Sequence, residues 1–164
     1  MTTYYPEQSL DPKDTELIGP ILSLDLGTKR VGVAVSDPTL VAVTRIGNIR
    51  RSNWKQLLLD VSNLIRRFDA KTLVIGFPLS LEGNEGSAAN ATREIALKFA
   101  RSLALPVYLQ DERLTSRDAA ERLRAEGINA KDLAAYTDSE AAAIILRDFL
   151  AGGQQRTRIQ RPLK

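Results

Sequence analysis

The 164-residue sequence contains no cysteine and no histidine. The absence of cysteine excludes disulfide bonds and thiolate metal ligands. The absence of histidine excludes histidine general bases, Ser-His catalytic triads and imidazole-bound zinc. Any acid–base or metal chemistry must therefore rest on carboxylates, lysine, tyrosine, the backbone or water. Carboxylate oxygens are hard ligands, which favour Mg²⁺ or Mn²⁺ over zinc.

Long apolar runs are also missing, since no stretch approaches the ~20 residues of a membrane-spanning helix. We therefore expect a soluble, cytoplasmic protein that does not associate with membranes. The length is most simply that of a single domain with a substantial core.

Charge is unevenly distributed along a chain whose net charge is +3. Residues 1–20 are acidic, and residues 151–164 carry four basic residues and no acid: Arg156, Arg158, Arg161 and Lys164. We predict a flexible N-terminal lead-in at 1–20, a folded domain at 21–150 and a basic C-terminal tail at 151–164. A basic tail is suited to a polyanionic partner.

The spacing of apolar residues predicts an α/β fold. Apolar runs predict five strands, at 21–26, 31–36, 41–48, 72–77 and 107–110. Apolar residues spaced by three and four predict four helices: one capped by Ser52, one from Ser87 to about Leu103, one capped by Ser116 and ending at Gly127, and one opened by Thr137. Three antiparallel strands followed by crossovers give a mixed sheet with helices on both faces, in which strands one, four and five run parallel.

Acidic residues fall where this topology would bring them together. Asp25 lies on the otherwise apolar first strand, and Asp111 and Glu112 end the fifth strand. This prediction places Asp138 in the first turn of the last helix, where the helix dipole favours an acid. Thr137 and Glu140 form a T-x-x-E capping box there, so a purely structural role for Asp138 is the alternative to a role in a site. Because carboxyl ends of parallel strands share one edge, Asp25, Glu112 and Asp138 can converge there. Converging carboxylates call for a cation, and one or two Mg²⁺ or Mn²⁺ ions would serve.

Basic and hydroxyl side chains adjoin these acids. Lys29 and Arg30 follow Asp25 in the first turn. Arg113, Thr115 and Ser116 follow Glu112 and open the third helix, whose N-terminus favours anions. We predict that these five residues bind phosphate groups of a nucleic acid.

Four segments resemble the YqgF/RuvX family of RNase H-like nucleases, relatives of the RuvC Holliday junction resolvase. They are SLDLGTKRVGVAVSD at 23–37, VIGFPLSLEGNEG at 74–86, DERLTSRDA at 111–119 and DSEAAAIIL at 138–146. The resemblance implies an RNase H-like fold and a cytoplasmic, metal-dependent nuclease that matures the 5′ end of 16S rRNA. It assigns the catalytic and metal-binding roles to Asp25, Glu112 and Asp138. Strand alternation leaves open whether Asp111 or Glu112 faces the site. Many RNase H-like proteins carry an acid at the end of strand four, where this chain has Gly76.

Three alternatives remain to be weighed. A resolvase of branched DNA fits the same fold and would be expected to dimerise. A non-catalytic RNA-binding assembly factor would retain the fold without efficient cleavage. An actin-like ATPase shares the LDLGT pattern but needs a second lobe, for which 164 residues are too few. The nuclease hypothesis predicts pre-rRNA or pre-ribosomal particles as partners and a monomer or weak homodimer.

Overall fold

A computed structural model describes residues 17–80, 82–112, 121–152 and 156–160. Within these ranges six strands form one sheet. The strands are β1 Ile21–Leu26, β2 Arg30–Ser36, β3 Val43–Arg50, β4 Thr72–Phe77, β5 Val107–Asp111 and β6 Arg156–Arg158. The helices are α1 Trp54–Phe68, α2 Ser87–Ser102, α3 with described helical residues 121–125, and α4 Ala130–Leu150.

The strand order across the sheet is β3-β2-β1-β4-β5-β6. Strands β1, β2 and β3 form an antiparallel meander, and β4 pairs in parallel with both β1 and β5. The predicted α/β architecture and the parallel arrangement of strands one, four and five are confirmed. The carboxyl ends of β1, β4 and β5 consequently meet at one edge of the sheet.

The predicted count of five strands is wrong, because a sixth strand pairs antiparallel with β5. Its three residues, Arg156–Arg158, fall in the segment predicted as a basic tail. The backbone pairing continues at Ile159, whose N–H donates to the Val107 carbonyl at 2.8 Å and whose side chain is buried. A strand of three residues that includes two arginines has no alternating apolar pattern from which it could be predicted. It forms because it pairs with β5.

Helices α1 and α2 cover one face of the sheet. Leu57 and Val61 of α1 and Phe99 of α2 pack on alternate apolar residues of the strands. Asn53, and not the predicted Ser52, caps α1, since its side chain accepts a hydrogen bond from the Gln56 N–H at 2.9 Å. This face forms the larger of the apolar cores.

Helix α4 covers the opposite face, as the prediction of helices on both faces requires. Its small residues Ala142 and Ala143 are fully buried, and the Ser23 hydroxyl on β1 donates to the Ala142 carbonyl at 2.8 Å. Gly32 on β2 allows the closest approach, because a Cβ there would collide with the Asp138 carbonyl and lie 3.0 Å from the Asp138 Cα. The helix backbone therefore rests directly on the sheet.

The predicted start of this helix at Thr137 is wrong. Asn129 caps α4, accepting from the Asp132 N–H at 3.0 Å, so the helix begins at Ala130, about two turns earlier. Asp138 therefore lies inside the helix, away from its N-terminal dipole, and the proposed capping box does not form there. The polar stretch before Thr137 is helical because its own cap precedes it.

Glu140 instead joins α4 to the edge strand β3. Its side chain is 1% exposed and accepts from Arg45 and from Arg147, both at 3.1 Å. Arg45 also pairs with Glu126 at 3.3 Å. Two arginines around one buried carboxylate compensate its desolvation, and the one on β3, Arg45, holds the helix against the β2–β3 side of the sheet.

Every helix within the described ranges falls short of the length and hydrophobicity that a membrane span requires.

Gly32→Ala should displace α4 and lower the free energy of unfolding by roughly 1–3 kcal/mol, because the added methyl overpacks a backbone contact. Gly86→Ser is the matched control, since nothing lies within 4 Å of that position and serine is a favoured N-cap. Urea denaturation measures both. Equal stability of Gly32→Ala and the parent protein would contradict the backbone contact.

Candidate active site

Two acidic side chains lie side by side at the edge where β1, β4 and β5 end. Asp25 is the fifth residue of β1 and its Cα partner on β2 is Gly32. Glu112 directly follows β5, and its backbone N–H donates to the carbonyl of Phe77, the last residue of β4, at 3.1 Å. The two carboxyl groups form a hydrogen bond with each other.

Gly76 leaves the space that the Glu112 carboxyl group occupies. A Cβ at position 76 would lie 2.5 Å from Glu112 Oε2 and 2.5 Å from Ile145 Cδ1. The sequence showed only that strand four lacks the acid found in many RNase H-like proteins. In this structure the carboxyl group from the end of β5 lies over that position.

Burial controls the electrostatics of the acid pair. Desolvation raises the pKa of Asp25; the hydrogen bond from Glu112 opposes this increase and the negative charge of Asp138 adds to it. Desolvation, followed by the charge of Asp25 and their hydrogen bond, raises the pKa of Glu112 to about 9. The two carboxyl groups therefore share a proton through their hydrogen bond. Without a cation, the pair holds one proton at neutral pH.

Asp138 reaches the same edge from α4, but its carboxylate forms an ion pair with the side chain of Arg30. Arg30 Nε donates to Asp138 Oδ2 at 2.7 Å, and the two side chains are 51% and 21% exposed. In the described ranges, no group of three acidic side chains is arranged to hold a metal ion. The structure thus brings the three predicted acids into one neighbourhood as a bonded pair and a separate ion pair.

The turn between β1 and β2 positions Lys29 and Arg30. The Gly27 N–H donates to the Arg30 carbonyl at 2.9 Å, and a Cβ on Gly27 would lie 2.6 Å from that oxygen. Arg51 braces the turn, because its Nη1 donates to the Gly27 carbonyl at 2.7 Å and its N–H to the Lys29 carbonyl at 2.9 Å. The Lys29 side chain is exposed.

Other predicted site residues have different outcomes. Arg113, Thr115 and Ser116 lie outside the described residues, and their assignment stays a prediction. Of the two acids at the end of strand five, Glu112 contacts Asp25, whereas Asp111 is the last residue of β5 and strand alternation directs it to the other face. Sequence reasoning did not single out Arg51 or its neighbour Arg50. Their position at the end of the third strand, opposite the turn that follows Asp25, was the available signal.

Comparisons with known proteins identify the family and the fold. The family model RuvX, described as Holliday junction resolvase, matches residues 19–152. A relative from Anaeromyxobacter sp. (strain Fw109-5), named "Putative pre-16S rRNA nuclease", is 37% identical over 131 residues, covering 80% of this chain and 96% of the relative. A relative of the same name from Mycolicibacterium paratuberculosis is 36% identical over 154 residues, covering 93% of this chain and 92% of its own.

Two solved structures share the fold. RuvC from T. thermophilus in complex with a Holliday junction substrate has a TM-score of 0.52 at 15% identity, over 84% of this chain and 98% of RuvC. The Fowlpox virus resolvase with Holliday junction DNA has a TM-score of 0.51 at 14% identity, over 82% of this chain and 98% of the resolvase.

The family match and the names of the relatives identify a nuclease, a hydrolase whose substrate is nucleic acid, and the fold is RuvC-like and RNase H-like. The chain belongs to the RuvX family.

Glu112→Gln should stabilise the metal-free protein at neutral and alkaline pH. The folded protein holds a Glu112 proton up to a pKa of about 9. This proton stabilises the folded state fully at pH values below the pKa of Glu112 in the unfolded chain, about 4.3. The stabilisation is lost as the pH rises from there through the pKa of Glu112 in the folded protein. Glutamine does not ionise, so relative to the parent the variant should gain roughly 1.4 kcal/mol for each pH unit above about 4.3, a few kcal/mol at pH 7, and little at pH 4.

Thermal unfolding of both proteins across this pH range, in the presence of a chelator, measures the effect. Glu94→Gln, an exposed substitution on α2, is the control and should change stability equally little at every pH. A stability difference between Glu112→Gln and the parent that does not grow with pH would contradict the raised pKa.

Proposed function

We propose that this protein is a cytoplasmic, metal-dependent nuclease that hydrolyses phosphodiester bonds in precursor 16S rRNA and matures its 5′ end. The observation that carries the proposal is the buried pair of Asp25 and Glu112 at the sheet edge. Relatives at 36–37% identity that are named as pre-16S rRNA nucleases support the RNA substrate.

The residues present fit a divalent cation. Asp25 and Glu112 offer only oxygen ligands, and the proton they share marks a position where positive charge is favoured. Asp138 would complete the donor set, while the Arg30 guanidinium on its Oδ2 competes for that carboxylate. One or two Mg²⁺ or Mn²⁺ ions bound there would activate a water and neutralise charge at the scissile phosphate.

The remaining roles belong to side chains of the chain itself. Asp25 and Glu112 would hold the cation and would release their shared proton in exchange for it, since ligating carboxylates must be ionised. Lys29 and Arg30 hold the substrate phosphate beside the acids with charge-assisted hydrogen bonds. Arg113, Thr115 and Ser116 are proposed to contact the phosphate from the side of the third helix. The partner is pre-rRNA, free or within pre-ribosomal particles, and the protein acts as a monomer or weak homodimer.

A resolvase acting on branched DNA is the second candidate. The description of the matching family model favours it, and both solved structures cited above are resolvases with junction DNA. Their identities of 14–15% support a shared fold, whereas the rRNA nuclease names come from relatives more than twice as similar in sequence. The RNA substrate is therefore the preferred proposal.

Asp25→Asn should reduce Mg²⁺- or Mn²⁺-dependent cleavage of a precursor 16S rRNA fragment by at least about 100-fold while leaving RNA affinity largely intact. The matched control is Asp69→Asn, an exposed residue in the left-handed region, which asparagine also tolerates. Mapped RNA ends and a binding titration give the two readouts.

The same assay separates the alternatives. Paired symmetric nicks in branched DNA, with no RNA cleavage, would favour the resolvase. RNA binding with no cleavage by the parent protein would favour a non-catalytic assembly factor. Cleavage by Asp25→Asn at the parent rate would refute the catalytic assignment.

Arg30→Gln should tighten Mn²⁺ binding to the RNA-free protein by up to about fivefold, because an exposed ion pair of this kind is worth roughly 0.2–1 kcal/mol. Lys29→Gln removes the same charge from the adjacent position without the contact to Asp138 and serves as control. Calorimetric titration with Mn²⁺ compares the two. Equal affinities in the two variants would show that Arg30 does not compete for Asp138.

A further inference from the structure

Arg30 and Arg50 lie directly opposite each other on two antiparallel strands. They are Cα partners in the β2–β3 ladder, so their side chains leave the same face of the sheet. Arg30 contacts Asp138 of α4, which identifies that face as the one carrying the acids. Like charges directly opposite each other destabilise a sheet, and both arginines are exposed. This pairing has a cost that the fold alone does not explain.

A comparison within the same ladder shows what Arg50 lacks. Arg45, further along β3, is neutralised by Glu140 and Glu126. Arg50 has no ion-pair or hydrogen-bond partner for its side chain anywhere in the described ranges. Among the residues that the structure describes, Arg30 is engaged only through its Nε, on Asp138, which leaves its two terminal nitrogens available for another anion.

The position of the pair points toward the acids and toward solvent. Asp25 is the cross-strand partner of Gly32, which lies two residues, or roughly 7 Å, along β2 from Arg30. Arg50 is one strand further out, about 4.8 Å away, on a strand at the edge of the sheet. A nucleic acid held at Asp25 can therefore reach the Arg30 end of β2 and the Arg50 end of β3, both of which are exposed.

We propose that Arg30 and Arg50 form a second phosphate-binding site, which holds a backbone phosphate next to the one at the acid pair. The site rests on the proposed nuclease function and extends the substrate contacts to the edge strand. A phosphate between the two guanidinium groups accepts hydrogen bonds from both and removes their mutual repulsion. Because phosphates carry no base identity, the site positions the strand and reads no sequence.

Arg50→Gln tests the site through the salt dependence of RNA binding. The full-length protein is titrated with a fluorescent single-stranded RNA spanning the precursor 16S 5′ junction, in chelator-containing buffer and over a series of KCl concentrations. Loss of one phosphate contact should reduce the slope of log affinity against log salt by about 0.7. Arg50→Lys should retain the slope, because it keeps the charge. Arg66→Gln, an exposed arginine at the far end of α1, should leave the slope unchanged.

The proposal is overturned if Arg50→Gln has the parent slope, or if Arg66→Gln loses as much. Thermal unfolding supplies a second readout. Relief of the repulsion predicts that Arg50→Gln has a Tm equal to or above that of the parent, whereas a structural role for Arg50 predicts a lower Tm with an unchanged slope.

Failure of this site and failure of the proposed function give different results. If Asp25→Asn cleaves normally and Arg50→Gln still loses salt slope, the nuclease assignment falls and the phosphate site stands. If Asp25→Asn is inactive and Arg50→Gln keeps its slope, the nuclease assignment stands and the phosphate site falls.

Discussion

Two carboxyl groups buried next to each other are the constraint on which the rest of the site depends. Neither Asp25 nor Glu112 can ionise freely there, because water is largely excluded and each charge opposes the other. The surrounding fold fixes the pair in place: Gly76 leaves room for the Glu112 carboxyl group, and the Phe77 carbonyl holds its backbone. The resulting stress is relieved by a proton in the free protein, and a cation would relieve it further. The Asp25–Glu112 pair thus lowers the stability of the folded protein at the position of the proposed active site.

Positive charge around this pair is divided between two uses. Arg45 and Arg147 neutralise the buried Glu140, and Arg45, on β3, thereby fastens α4 to the sheet. Arg30 and Arg50 lie nearer the acids, and only one nitrogen of this pair has an acidic partner in the described ranges. Both Arg45 and Arg50 lie on β3, but Arg45 has a structural role, whereas Arg50 is proposed to bind a ligand. The buried acidic partner of Arg45, Glu140, distinguishes it from Arg50, which has no acidic partner in the described ranges.

Much of the fold could be predicted because it depends on local pattern. Apolar runs located β1 to β5, crossovers gave their parallel order, and the acid positions followed from strand ends. Errors arose where distant partners decide the outcome. Thr137 and Glu140 match a capping box, yet Asn129 starts the helix and Glu140 binds Arg45 from a remote strand. The strand at Arg156–Arg158 exists because β5 offers an unpaired edge. That Arg30 meets Asp138 depends on a distance no pattern encodes.

The contact between Gly32 and α4 also bears on when the protein becomes complete. Gly32 and Ser23 belong to the first hairpin of the chain, whereas their partners, Asp138 and Ala142, belong to its last long helix. During synthesis the hairpin leaves the ribosome early, and one face of its sheet stays uncovered until that helix follows. Pairing segments so distant in sequence is slow. A nascent chain therefore carries Asp25 before Asp138, and the proposed site is complete only once α4 has been synthesised.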